Sequence, residues 1–414
     1  MPRRRNHRRH ARLRGGYFRS LGPGLITGAA DDDPSGIGTY SQVGATLRFD
    51  LLWTALVSLP LAAAVVELAA RFGLVTDRGL ASIVRRRYPS VVVYPVLLLV
   101  VAANTFNVGA DLGSMAAALH LVAPVPLAVG VVVFAAGITM LEIRVPYERY
   151  SKLLRWLVLS LVAYFAVLLS VHVPWGEVAR ATFRPTWHND RTHLAALIAI
   201  FGTTISPYLF FWQAAEEVEE HATEEMTRAE LRRMRIDVVA GITAGVFVMF
   251  AILTATAVTL GKHGASIETA QEAAAALRPV AGRFASLLFT LGIVGTGLLA
   301  IPTLVGSSAY AIAETFAWDE GLSRTLRQAP GFYGVIAGGM VIGAALNFGH
   351  VNPIHALFLA ALFNGLAAPP ILLLMALAAR ADVLGEWRSG WVSTTLVVFT
   401  AALMAFLPAW YLVR

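Results

Sequence analysis

The alternation of oily and polar runs resolves the chain into eleven predominantly apolar segments: 22–46, 51–71, 90–115, 125–142, 153–172, 193–218, 237–260, 284–315, 331–349, 353–379 and 391–412. A membrane-crossing helix needs about 20 such residues, and each segment meets or approaches that length. The longest polar stretches, 173–192, 217–236 and 261–283, are too short for a folded module. Within the connectors, Leu80–Arg87 and Arg228–Arg235 read as short amphipathic or helical pieces whose charges face solvent. The pattern predicts an all-α integral membrane protein with 11 transmembrane helices.

Composition narrows the class further. The chain has 414 residues, 57% of them hydrophobic and 14% charged, with a mean hydropathy of +0.64. A soluble domain carries about 25% charged residues, so an ordinary soluble enzyme, a disordered chain and a nucleic-acid-binding domain are excluded. Cysteine is absent, which removes disulfides, thiolate metal sites and palmitoylation. The net charge of +7 is explained by where the arginines fall. With the N-terminus inside, the tail and the loops after spans 2, 4, 6, 8 and 10, with the span ends beside them, hold 25 of the 33 Lys and Arg. Positive residues collect on cytoplasmic loops, so the N-terminus is expected inside and the C-terminus outside. The Arg-rich segment 1–20 lacks the apolar core of a cleavable signal and reads as a cytoplasmic topogenic tail.

Two spans depart from a good membrane helix in the same way. Span 1 places Asp31, Asp32, Asp33, Pro34, Ser35 and Gly36 in the middle of an apolar run, and span 6 places Thr203, Thr204, Ile205, Ser206, Pro207 and Tyr208 there. Proline deletes a backbone hydrogen bond and clashes with the preceding turn, and carbonyls freed at membrane depth survive only where they line a cavity or meet a partner. Interrupted helices at matching places in two halves point to a transporter site near the midplane. The expected organisation is a basic tail (1–20), a first five-helix repeat (21–172), an external loop (173–192), a second five-helix repeat (193–379), and an eleventh span with the C-terminus (380–414). Pro302 and Pro369, without polar company, read as kinks.

A mid-membrane aspartate costs about 2.5–3.5 kcal/mol on insertion scales and marks function by default. Neighbours on a helix point about 100° apart, so three consecutive aspartates cannot all face one site. Asp33, beside the proline, is the expected cation ligand, with Asp31 and Asp32 left to an aqueous vestibule or to pairing with arginine.

With these residues in place, the chain resembles the Nramp divalent-metal transporters, whose signature is Asp-Pro-Gly-Asn in span 1 and Met-Pro-His in span 6. The likeness runs over nearly the whole chain, through Gly22-Pro23, Gly79-Leu80, Ala110-Asp111-Leu112 and Gly385-Glu386-Trp387-Arg388. It implies the leucine-transporter type of fold, a 5+5 inverted repeat with metal bound between broken spans 1 and 6. Asp33 and Pro34 keep the family's carboxylate and proline. Gly36 stands where the family places Asn, Ser206 where it places Met, and Tyr208 where it places His. With Asp111 aligned to the family aspartate, Ser114 replaces a glutamate. By these departures the chain looks most like the Nramp-related magnesium transporters.

The candidate ligands all offer oxygen: the Asp33 carboxylate, the Ser206 hydroxyl, and freed carbonyls near Ala30 and Thr203. Pro34, Gly36, Pro207, Tyr208, Asp111 and Asn364 are the expected lining. Asn364 enters because the corresponding helix of the resembling family closes on the metal. Oxygen donors favour Mg²⁺, Ca²⁺ and Mn²⁺, whereas a thioether favours softer metals. Mg²⁺ dehydrates reluctantly, so a roomier site with one carboxylate suits a partly hydrated ion. The expected function is import of Mg²⁺ and Mn²⁺ by alternating access. The ten histidines avoid the two breaks, and a tyrosine with an ordinary pKa near 10 carries protons poorly at neutral pH, so transport is expected without proton coupling, Asp111 and Glu67 keeping a proton route open.

The run Glu216, Glu217, Glu219 and Glu220 reads as a solvated helix end facing the arginines of 228–235 or, less simply, as a cation-concentrating exit. Asn104, Asn107 and Asn347 read as hydrogen bonds between helices. Two other transport readings stand beside the main one: a proton-coupled Mn²⁺ or Fe²⁺ symporter, and an organic-solute symporter on the same fold. Three aspartates at the break speak against a substrate carboxylate there. An intramembrane enzyme lacks its motifs, and Ser35 has no histidine near it in sequence, so no enzymatic activity is expected. The expected partners are divalent metal ions, as transported substrates, and the lipid bilayer of the inner cell membrane. No cofactor, nucleic acid or obligate protein partner is expected.

Overall fold

The computed structural model describes residues 28, 32–145, 159–221, 227–261, 267–349 and 351–413. The basic tail, Ala30 and Asp31 lie outside the described residues. Among those described there is no strand, and nine helices are long and apolar enough to cross a membrane. The other two expected spans are represented by α1 (Pro34–Leu47) and by α6 (Val162–Ser170) with the helical turn before it.

The first half continues from α1 through α2 (Trp53–Thr76), the short α3 (Leu80–Arg87), α4 (Ser90–Val122), α5 (Leu127–Arg144) and α6. A connecting helix, α7 (Trp175–Phe183), occupies the polar stretch before the second half. There span 6 is split into α8 (Arg191–Thr204) and α9 (Pro207–His221), followed by α10 (Arg228–Thr259). Short helices α11 (Ala270–Ala275) and α12 (Arg278–Ala281) lead to α13 (Ala285–Phe316), α14 (Pro330–Leu346), α15 (Pro353–Ala378), α16 (Ala381–Leu384) and α17 (Trp391–Val413).

The connector at Arg228–Arg235 is corrected by this arrangement: it forms the first turns of α10, not a separate piece. The Thr227 hydroxyl accepts from the Glu230 amide while Glu230 reaches back to the Thr227 amide, a reciprocal cap that starts the helix early. Met234 and Val238, one turn apart, supply its buried face. Leu80–Arg87 is a separate amphipathic helix as the pattern predicts, with Leu80, Ala81, Ile83 and Val84 buried and Arg85, Arg86 and Arg87 in its last turn. Pro60, Pro95, Pro302, Pro369, Pro370 and Pro408 all sit inside unbroken helices. Proline alone therefore does not mark a break in this chain.

Packing between the halves is reciprocal. Helix α1 of span 1 lies on α10 of span 7, and α9 of span 6 lies on α2 of span 2. The two long helices α4 and α13 face each other, with α5 against the first and α14 against both. Such an exchange of partners is what two five-helix repeats related by a two-fold axis produce. Helix α15 closes on α1, α4 and α8 together. Its approach to α8 is very close: a Cβ at Gly202 would lie 2.1 Å from the Ala361 carbonyl oxygen and 2.4 Å from the Gly365 nitrogen.

Polar ties gather at the two ends of the bundle. At one, the buried Arg71 donates to Glu67 and to the Trp387 carbonyl, while Arg235 Nε donates to Glu67 Oε1 at 2.8 Å. At the other, Thr186 Oγ1 donates to the Asp50 carbonyl at 2.7 Å and Trp410 Nε1 donates to Asn189 Oδ1 at 2.9 Å. The first end carries the arginine-rich loops.

Candidate metal site

The interruption in span 1 is a helix start buried in the middle of the protein. Asp33 has extended backbone (φ −67°, ψ 169°) and caps α1, with Pro34 at the first helical position, where its missing N–H costs nothing. Asp33 Oδ1 accepts from the Gly36 amide at 2.6 Å and from Ser35 Oγ at 2.7 Å. Its Oδ2 accepts from Asn107 Nδ2 of α4 at 2.9 Å. Asp33 is only 1% exposed. Three donors and the positive end of α1 thus hold the carboxylate where water cannot. Asp32 beside it is buried as well, rather than in a vestibule, and pairs with no arginine among the described residues.

The interruption in span 6 is a stop followed by a restart. Helix α8 ends at Thr204, Ile205 leaves the helical region (φ −122°, ψ 56°), and α9 begins at Pro207. Carbonyls left open at the end of α8 are met by the Ser206 hydroxyl, 2.7 Å from the Gly202 oxygen and 2.8 Å from the Thr203 oxygen. Each of these oxygens retains a lone pair. Tyr208 is fully buried, and its carbonyl accepts from Ser307 Oγ of α13.

The two breaks meet. Ser35 Oγ lies 3.3 Å from Thr203 Oγ1, and further along both helices Tyr40 Oη lies 2.9 Å from Thr204 Oγ1, which also donates to the Ile200 carbonyl at 2.8 Å and has the Met249 sulfur 3.9 Å away. From α4, the fully buried Asp111 brings a carboxyl within electrostatic reach of Asp33 and toward the Ser35 amide. Both Asp111 oxygens lack a hydrogen-bond partner among the described residues, as do both side-chain atoms of buried Asn364 on α15. Buried polar atoms are almost always satisfied. An unmatched carboxyl and an unmatched amide thus stand on two helices that both border the breaks. Of the residues picked from sequence, Asp33, Pro34, Gly36, Thr203, Ser206 and Pro207 form the two breaks themselves. Asp111 is placed by its reach to Asp33, whereas Asn364 is placed only through its helix, its neighbour Gly365 touching Gly202.

Sequence reasoning missed Ser35 and Asn107 as partners of Asp33. A signal for Asn107 was present: Asn104, Asn107 and Asp111 recur at helical spacing along α4, a polar stripe in an apolar helix. Asn104 donates to Ser308 Oγ at 3.0 Å and Asn347 to the Gly109 carbonyl at 2.9 Å, bonds between helices as expected. Two members of the glutamate run are not solvated in the expected way, whereas Glu220 is exposed. Glu217 is buried and accepts from Gln213 at 3.0 Å, and Glu219 accepts from Tyr310 and from the Leu322 amide at 2.9 Å. Arg235, which was to face that run, is taken by Glu67.

A profile of the family described as "Natural resistance-associated macrophage protein-like" matches residues 24–414. The divalent metal cation transporter MntH of Acidiphilium cryptum is 28% identical over 375 residues, covering 88% of this chain and 83% of that protein. Its namesake from Aeromonas hydrophila is 27% identical over 412 residues, 95% of both chains. In fold, the chain is similar to the Eremococcus coleocola manganese transporter, at a TM-score of 0.72 and 19% identity over 94% of this chain and 84% of that one. It is also similar to Mhp1, a nucleobase-cation-symport-1 family transporter, at a TM-score of 0.60 and 14% identity over 95% of this chain and 93% of that one.

Proposed function

The chain belongs to the Nramp family, and from that premise we propose that it carries Mn²⁺ and Mg²⁺ into the cell through a site between its two interrupted helices, without an obligatory proton. The observation that carries this reading is the meeting of the breaks at Asp33, Ser35 and Thr203, with the unmatched Asp111 carboxyl and Asn364 amide on the bordering helices. Two buried carboxyls within electrostatic reach of each other repel, and a divalent cation held near both would remove the conflict. The donors are carboxylate, hydroxyl, amide and carbonyl oxygens, which suit Mg²⁺ and Mn²⁺. Gly36 and Ser206 in place of bulkier side chains leave room for ion-bound water, which Mg²⁺ keeps.

Alternating access follows from the construction. Each break frees one half-helix to tilt against a rigid partner, α1 on α10 and α9 on α2. Helix α15 covers both breaks, so its movement relative to α1 and α8 would expose or close the ion. With the arginine-rich end inside, a divalent ion crossing about 100 mV gains about 4.6 kcal/mol, enough to draw it inward unaided.

A second reading rests on Asp111. A buried carboxyl with no partner, next to the ligand Asp33, is also what a proton carrier looks like, and the MntH relatives are named for divalent metal transport. Uptake into proteoliposomes at fixed potential, with internal pH recorded, separates the two. Entry of both Mn²⁺ and Mg²⁺ without acidification is the expected result. Acidification that tracks Mn²⁺, with Mg²⁺ excluded and the coupling lost in Asp111→Asn, would replace it by proton-coupled Mn²⁺ symport.

A further inference from the structure

A second cluster of metal-ligating groups lies far along the chain from the breaks, at the end of the bundle opposite the arginine-rich loops. Asp50, in the corner between α1 and α2, meets His188 from the loop before α8 and His193 from the first turn of α8. His193 Nε2 is 3.3 Å and His188 Nε2 is 3.8 Å from the same oxygen, Asp50 Oδ2. One ligand atom from each of the three residues falls within 4.8 Å of the others.

The orientation of His193 is fixed from behind. Its Nδ1 lies 2.7 Å from Asp190 Oδ2, while Asp190 Oδ1 caps α8 by accepting from the His193 amide at 3.0 Å. An Nδ1–H donated to a carboxylate leaves the Nε2 lone pair pointing at Asp50. Two acceptors facing each other at 3.3 Å require a cation between them, either a proton or a metal ion. The carboxylate–histidine–metal arrangement is the usual way a protein orients an imidazole ligand. Asp50 is held in turn: its carbonyl accepts from Thr186 Oγ1, which ties the loop to the α1–α2 corner.

The spacing fits a metal. In a tetrahedral zinc site with bonds of about 2.0–2.1 Å, neighbouring ligand atoms lie about 3.3 Å apart, the distance between His193 and Asp50. His188 is half exposed, with a side-chain exposure of 50%, and has freedom to close the remaining gap, whereas His193 is held at 14%. Two imidazoles and one carboxylate, with a position open to water, suit Zn²⁺ and its imidazole-preferring neighbours, not Mg²⁺.

We propose that Asp50, His188 and His193, oriented by Asp190, form a Zn²⁺-type site on the outer end of the bundle, separate from the transport pathway. The full chain in detergent, titrated calorimetrically with Zn²⁺, tests this. One Zn²⁺ site is expected in the wild-type protein, lost in His188→Ala and in His193→Ala, and retained in Asp33→Asn. Asp190→Asn keeps an acceptor for the helix cap, and is expected to weaken Zn²⁺ binding about 10–100-fold. The His188→Ala change lies on an exposed loop, so its loss of binding is read on a folded protein, checked by its thermal transition. No Zn²⁺ binding by the wild-type chain would make the intervening cation a proton and overturn the proposal. Unchanged Zn²⁺ affinity in both histidine variants, or loss only in Asp33→Asn, would overturn it as well. Neither result bears on the Mn²⁺ and Mg²⁺ reading, which rests on uptake.

Discussion

At the scale of single residues, the carboxylates of the membrane region divide by what they touch. Asp33 is held by Gly36, Ser35 and Asn107 with a lone pair to spare. Asp33→Asn keeps its shape but loses the charge, so metal uptake should be abolished while the protein still folds; normal uptake would remove the central ligand. Asn107 acts through Asp33, and Asn107→Ala should weaken apparent metal affinity about 10–100-fold with a smaller change in maximal rate, read as a KM against Vmax split. Glu67 is different. Its Oε1 answers the buried Arg71 and the half-exposed Arg235, while its Oε2 is buried without a hydrogen-bond partner among the described residues, and we expect its role to be structural. Removing one partner of a buried pair costs about 3–5 kcal/mol. Glu67→Ala should therefore show its loss in thermal unfolding, not in a changed proton-to-metal ratio.

Among the elements, the two interruptions were legible because their physics is local: a proline flanked by groups that cap or replace backbone hydrogen bonds. Asp33 capping α1 and Ser206 answering the open carbonyls of α8 are both encoded within four residues of the break. The start of α10 was misread because its charged first turns resemble a loop in hydropathy, although the Thr227 and Glu230 cap is written there in sequence. The closeness of α8 and α15 was not legible, since a glycine says nothing about what approaches it. Gly202→Val should push the two helices apart, destabilising the fold by about 1–3 kcal/mol or more and abolishing transport, as thermal unfolding and uptake would record. Gly36→Asn together with Ser206→Met narrows the space between the breaks and supplies a softer ligand. Relative uptake should move from Mg²⁺ toward Mn²⁺, and an unchanged ratio would mean that cavity size does not set the preference.

For the whole molecule, the gathering of arginines at one end predicts that this end faces the cytoplasm. The chain has no cysteine, so a single introduced one reports its side of the membrane without background. Asn189→Cys should react with an impermeant thiol reagent applied outside intact cells, and Arg324→Cys only after the membrane is opened. The reverse pattern would invert the orientation inferred from the arginine count. The Gly79-Leu80 element shows how distant parts determine a local motif. A Cβ at Gly79 would strike the Glu314 carboxylate, which accepts from the Ser82 amide at 2.9 Å and so caps α3 from α13.

By itself the sequence determined the membrane class, the two breaks and Asp33 as the charge at their centre. Each of these follows from hydropathy over a helix length or from backbone chemistry within a turn, both of which are local. Tertiary structure decided which donors hold Asp33, that Asp111 is left unmatched beside it while Glu67 pairs with arginines, and that Asp50 meets two histidines about 140 positions away. Those outcomes depend on which helix faces another come together, and a lone polar residue in an apolar run carries no record of its partner.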